Sequence, residues 1–117
     1  MLILTVTALI GLAAIDGDTV IVNGAHIRVA NIDAPETHHA KCEAERRLGL
    51  IATRRMDQLL KAGRLRITIG DPKTGRKTDR YGRTLATISV NGVDIGETLV
   101  TEGLARPWEG KRKPWCD

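Results

Sequence analysis

Apolar positions in the first third of the chain fall into short runs separated by polar turns. Thr5 to Ala14 is one such run and reads as a strand. Thr19 to Val22 and His26 to Ile32 flank Asn23-Gly24, the strongest short hairpin signal. Within His26-Ile27-Arg28-Val29-Ala30 the period is two, so Ile27 and Val29 share one face and Arg28 takes the other. The period then changes. Leu48, Ile51, Ala52, Met56, Leu59 and Leu60 recur at helical spacing, which predicts a helix from Glu43 to Ala62 with Gly63 as its C-terminal cap. Its other face carries Arg46, Arg47, Arg54 and Arg55. We read that row as a solvated face, with a binding surface as the alternative.

Leu65 to Ile69 and Leu85 to Val90 read as two further strands, separated by the polar loop Asp71 to Arg83 and closed by Asn91-Gly92. Asp94, with Glu97 three residues on, predicts the start of a short helix from Ile95 to Glu102, and Gly103 ends it. Pro107 to Asp117 reads as irregular. Three strands, a long helix, two strands and a short helix fit a mainly β fold with helices, a small five-stranded barrel of the OB type.

Length adds that the 117 residues suit one compact domain, residues 1–117, and are too few for two. The core must be aliphatic, because the chain has no Phe, two Trp and one Tyr. A net charge of +4 favours a polyanionic partner, and the basic residues are spread rather than blocked. No Lys or Arg precedes the apolar start, and cleavage after Ala14 would remove the first strand, so Met1 to Ala14 is read as structure rather than a secretion signal. The run is too short to span a membrane. Nothing points to a protein partner, and the compartment is left open. Cys42 and Cys116 are compatible with one disulfide or with two free thiols.

Candidate chemistry lies in three polar segments: Ile15-Asp16-Gly17-Asp18-Thr19-Val20, then Arg28 with Ile32-Asp33-Ala34-Pro35-Glu36, then Asp79-Arg80-Tyr81-Gly82-Arg83. Asp18 and Asp33 lie at strand ends, and two facing carboxylates repel unless a cation lies between them. An all-oxygen set suits Ca²⁺, Mg²⁺ or Mn²⁺. Taken alone, Asp16-Gly17-Asp18 reads first as an ordinary turn and Asp33 as a strand-end cap. Glu36 is held near Asp33 by Pro35 and could take a proton from an attacking water. Arg28 and Arg83 present forks that match phosphate oxygens. Arg28, among small and apolar neighbours, needs an anionic partner. Lys77, Arg80 and Tyr81 are candidates for a neighbouring phosphate and a stacked base. His38, His39 and Cys42 match no common zinc spacing, and zinc is the minor reading.

Taken together, these segments and Glu97-Thr98-Leu99-Val100-Thr101-Glu102-Gly103-Leu104-Ala105 resemble the staphylococcal nuclease (thermonuclease) family, over about Thr7 to Trp108. The resemblance implies an OB-fold barrel with helices. It implies a Ca²⁺-dependent phosphodiesterase acting on DNA and RNA, single-stranded or denatured by preference, and leaving 3′-phosphate ends. It assigns one Ca²⁺ to Asp18, Asp33 and the Ala34 carbonyl, the general base to Glu36, and phosphate binding to Arg28 and Arg83. Against the resemblance, residues up to Asp117 are expected to lack the family's longer C-terminal helix, and a nucleotide-flanking tyrosine has no clear match, although Trp108 lies nearby. The two cysteines are similarly placed in bacterial relatives, several of them exported. On that footing a Cys42–Cys116 bond and free thiols are equal alternatives, and a bond would go with export. The competing function is a non-catalytic OB-type module binding single strands. That module would need more aromatic platforms than Tyr81, Trp108 and Trp115 supply.

Overall fold

The computed structural model describes residues 3–6 and 11–117 of the chain. Its elements are β1 (Ile3–Val6), β2 (Leu12–Asp16), β3 (Thr19–Val22), β4 (Ala25–Val29), β5 (Ile32–Asp33), α1 (Glu43–Leu60), β6 (Leu65–Ile69), β7 (Thr84–Val90), β8 (Val93–Asp94), α2 (Ile95–Thr101) and β9 (Arg106–Pro107). The fold is mainly β with two helices.

Turn chemistry sets the hairpins. Asn23 and Gly24 have φ of 51° and 82°, and Asn91 and Gly92 have 52° and 82°. Two successive positive φ values twist a two-residue turn to match its strands, and asparagine and glycine reach them at least cost. The first turn joins β3 to β4 and the second joins β7 to β8.

Seven strands form the main sheet, in the order β1-β6-β7-β4-β3-β2 with β8 on β7. The only parallel pairing in that path joins β4 to β7, with Arg28 opposite Leu85. β5 and β9 make a separate two-stranded ladder, Asp33 opposite Arg106. The expected five-stranded count is therefore corrected. The first apolar run is two strands, β1 on β6 and β2 on β3. Residues 7–10 of that run lie outside the described residues. The ladders among the described residues follow an open path rather than a closed ring. Two-residue ladders such as β5–β9 are too short to leave a periodic trace in sequence.

The core joins Val20, Val29, Ile32, Ile67, Ile88 and Val90 from the strands to Met56, Leu60, Ile95 and Leu99 from the helices. α1 buries Glu45, Gly49, Ala52, Met56 and Leu60. Ile51, expected on that face, is 50% exposed, because the buried stripe runs one residue to its side. The helix ends at Leu60 with Lys61 as cap, so Gly63 does not cap it. Gly63 is instead a close approach: a Cβ there would lie 2.2 Å from the Asn91 side chain, whose oxygen accepts from the Arg64 N–H. α2 starts as expected, the Asp94 side chain accepting from the Glu97 N–H at 2.9 Å. It ends in a Schellman motif: Gly103 has φ 76°, and Leu104 N–H donates to Leu99 O at 2.8 Å. From Trp108 to Asp117 the chain is irregular.

Candidate active site

Three backbone segments meet over the N-terminal half of α1, and small residues let them approach. A Cβ at Gly49 would lie 2.4 Å from the Glu36 carbonyl oxygen. A Cβ at Gly17 would lie 2.8 Å from the Cβ of Ala34 and 2.9 Å from that of Ala52. Glu45, buried on the same helix face, accepts from the N–H groups of Glu36 and Lys41, both at 3.0 Å. A buried carboxylate needs such donors, and here they fix the Pro35–Thr37 segment to the helix. Thr37 Oγ1 in turn donates to Asp16 at 2.7 Å.

Asp18 emerges from the β2–β3 turn and is 1% exposed. Its Oδ2 accepts from Ala34 N–H at 2.8 Å, which ties the first acidic segment to the second. Asp33, on β5, is 2% exposed, and its Oδ2 is buried without a hydrogen-bond partner. Arg28, on β4, is 6% exposed. Its Nη1 donates to the carbonyls of Val29 and Ile32, and its Nη2 lies 3.6 Å from Asp18 Oδ2. Arg83 donates from Nε to Asp79 at 2.7 Å and from Nη1 to Thr19 Oγ1 at 3.2 Å. That hydroxyl donates to Asp18 at 3.3 Å, so Arg83 reaches the acidic centre through one side chain.

The cation between the carboxylates is a residue that sequence reasoning missed. The guanidinium of Arg112 lies 2.8 Å from Asp33 Oδ1, 2.8 Å from Glu36 Oε1, 3.6 Å from Asp18 Oδ2 and 3.4 Å from the Ala34 carbonyl. Burial holds the Asp33 and Glu36 carboxyls above their ordinary pKa, and Arg112 pulls both back down. Burial disfavours the charge on Arg112, but Asp18, Glu36 and Asp33 outweigh it and raise its pKa. Burial lowers the pKa of Arg28, against the pull of Asp18.

A cleft of about 640 Å³ opens beside this centre, a volume in the range of small-ligand sites. Its walls include Arg28, Arg76, Arg80, Arg83, Tyr81 and Trp108. Arg80 and Arg83 lie over the exposed Tyr81 ring at 5.0 and 5.5 Å, and Arg28 lies over Trp108 at 5.4 Å. Lys77 is exposed outside the cleft lining, and Arg76 and Lys111 are in it instead.

The matched motifs are thus in one place, and the comparisons agree with them. The family described as Staphylococcal nuclease homologue matches residues 26–115. The chain belongs to the staphylococcal nuclease family. The matched span holds Arg28, Asp33, Glu36, Arg83 and Arg112, while Asp18 precedes it. The chain is similar to Endonuclease YncB of Bacillus subtilis (strain 168), 39% identical over 97 residues, covering 80% of this chain and 44% of that protein. It is also similar to SPbeta prophage-derived endonuclease YokF of the same organism, 37% identical over 97 residues, covering 80% of this chain and 31% of that protein. It therefore spans less than half the length of either relative.

Whether the centre suits the metal of this family can be tested on its donors. Asp18, Asp33 and the Ala34 carbonyl offer only oxygen, and Asp33 Oδ2 is a buried acceptor with no hydrogen-bond donor, free to ligate. Those donors fit a hard divalent ion. Among the described residues no three His, Cys, Asp or Glu side chains are arranged to hold a metal by themselves. The zinc alternative meets a further obstacle, because Cys42 is bonded to Cys116, Cα to Cα 6.1 Å, and His38 and His39 are exposed.

Proposed function

We propose that this chain is a cation-dependent nuclease that hydrolyses phosphodiesters of DNA and RNA with little sequence preference. The observation that carries the reading is the convergence of Asp18, Asp33, the Ala34 carbonyl and Glu36 on one point, beside Arg28 and a cationic cleft. The endonuclease names of the relatives support it.

Asp18, Asp33 and the Ala34 carbonyl would hold one Ca²⁺, whose chemistry is to polarise the phosphate and neutralise its charge. The chain's own residues do the rest. Arg28 and Arg83 bind the non-bridging phosphate oxygens and stabilise the charge that grows there. Arg28 is the more rigid clamp, since two carbonyls fix the plane of its guanidinium. Glu36 takes a proton from a water that attacks phosphorus. Its raised pKa brings it closer to working pH, which suits a general base. The water oxygen bonds to phosphorus as the P–O5′ bond breaks, O5′ takes a proton from solvent to become a hydroxyl, and the 3′-phosphate stays on the other fragment. Tyr81 and Trp108 are flat surfaces on which unpaired bases could stack, which favours single-stranded or denatured substrate. Arg80, at the Tyr81 ring, would take a flanking phosphate, whereas Lys77, exposed outside the cleft lining, could meet the strand only beyond it.

Cleavage of heat-denatured DNA in millimolar Ca²⁺, beside the same reaction in chelator, tests this reading. Chelator-sensitive cleavage leaving 3′-phosphate ends is expected. Glu36→Gln and Arg83→Ala should each lower turnover by about 10²-fold or more while the fold is kept. Near-wild-type turnover in both would remove the assignment. Tight binding without cleavage, indifferent to chelator, would favour the single-strand-binding module.

A further inference from the structure

Arg112 is unlike the other arginines of the centre in how it is held. It lies on an irregular strap, residues 108–116, that crosses from β9 to the start of α1. The strap is fastened at both ends. Trp108 N–H donates to Asn31 O at 3.0 Å, and Cys116 is bonded to Cys42. Near the second fastening, Arg106 donates to the Pro114 carbonyl at 2.9 Å and stacks on the Trp115 ring at 3.6 Å. Between these points the Arg112 guanidinium touches every oxygen group assigned above to the cation. The side chain is nonetheless 41% exposed, so it can swing outward without opening the core.

We propose that Arg112 is a built-in competitor of the divalent cation: its guanidinium occupies the cation's position, and the ion binds only when the strap gives that position up. The inference rests on the cation reading above. Its physics is that of a binding-competent state populated for only part of the time, which weakens apparent affinity by that fraction. An ion held by Asp18, Asp33 and the Ala34 carbonyl together would need the point that the Arg112 guanidinium fills, so the two exclude each other. The strap's two fastenings keep the guanidinium at high local concentration. Breaking the second fastening therefore weakens the competitor without removing any charge.

Isothermal titration of the protein with Ca²⁺ alone, without nucleic acid, reads the competition directly. Arg112→Gln should bind Ca²⁺ about tenfold more tightly than wild type, as expected where the guanidinium holds the position about nine-tenths of the time. Cys116→Ser should shift affinity the same way by a smaller factor. Trypsin cleavage after Arg112 of the wild-type chain, read by mass spectrometry, separates displacement from a mere nearby charge and does not depend on any variant folding. Ca²⁺ should accelerate that cut. Equal or weaker Ca²⁺ binding by Arg112→Gln overturns the proposal and leaves the cation site standing. Unchanged or slower cutting in Ca²⁺ also overturns it. Failure of both wild type and variant to bind Ca²⁺ overturns the proposal together with the cation reading.

Discussion

Arg28 and Arg112 stand at the same distance, 3.6 Å, from the same carboxylate oxygen of Asp18, yet they come from opposite kinds of structure. Arg28 is on a strand inside the sheet, with Nη1 held by two carbonyls and its ring neighbour Trp108 above it. Arg112 is on an irregular strap and touches only side-chain carboxylates and the Ala34 carbonyl. Removing the first leaves buried groups without partners. Removing the second lets water reach the same carboxylates. Equal charge and equal distance therefore do not mean equal function: one arginine belongs to the scaffold, and the other can be exchanged.

The largest effect should come from breaking the scaffold side. Arg28→Gln takes the guanidinium donor from two buried carbonyls and one of the two cations beside Asp18, and in urea denaturation should cost about 3 kcal/mol or more. Arg112→Gln in chelator should cost about 1 kcal/mol or less, because a half-exposed ion pair is worth little. Similar losses for the two would erase the distinction drawn here. A smaller test bears on the wall that both arginines face. Gly49→Ala drives a methyl into the Glu36 carbonyl, so it should cost about 1–3 kcal/mol and displace Glu36 from the position proposed for accepting a proton. A folded Gly49→Ala protein with unchanged turnover would show that Glu36 does not depend on that contact.

The smallest effect concerns pH. Burial raises the folded-state pKa of Asp33 and Glu36, with Arg112 opposing it. Between the unfolded and folded values, the native state holds protons that the unfolded chain has released. The two groups therefore favour folding more as pH falls through their raised pKa values, and least at neutral pH. Asp33→Asn should gain melting temperature over wild type in chelator at neutral pH, and the gain should shrink toward about pH 4. A gain independent of pH would contradict the sign of that shift.

How much of this was legible depended on whether the signal was local. Asn23-Gly24, Asn91-Gly92 and the Asp94 cap each act through their own few residues, and the structure places their turns and helix start where pattern reading does. The run from Thr5 to Ala14 is apolar almost throughout, and Gly11, directly before β2, is too weak a mark by itself to divide it into β1 and β2. The parallel β4–β7 pairing joins distant segments and leaves no periodicity. In the site, the acidic segments and Arg28 stood out because charge interrupts apolar strands. Arg112 did not, because it stands between Lys111 and Lys113 in a stretch where charge is ordinary. Glu45 was hidden for the opposite reason: a glutamate in the first turn of a helix looks like a solvated cap, and only burial reveals that it holds the Glu36 backbone.

The Cys42–Cys116 bond also changes the topology of the chain. It closes a covalent ring that contains α1, β6, β7, β8, α2, β9 and the strap. A single cut in the strap opens the ring but releases no fragment, because residues 113–117 stay attached through Cys116. The clipped protein then carries two chain ends at the mouth of the cleft and keeps its mass to within one water. A separation by size would show the cut only after reduction, and until then the damaged and intact molecules would travel together.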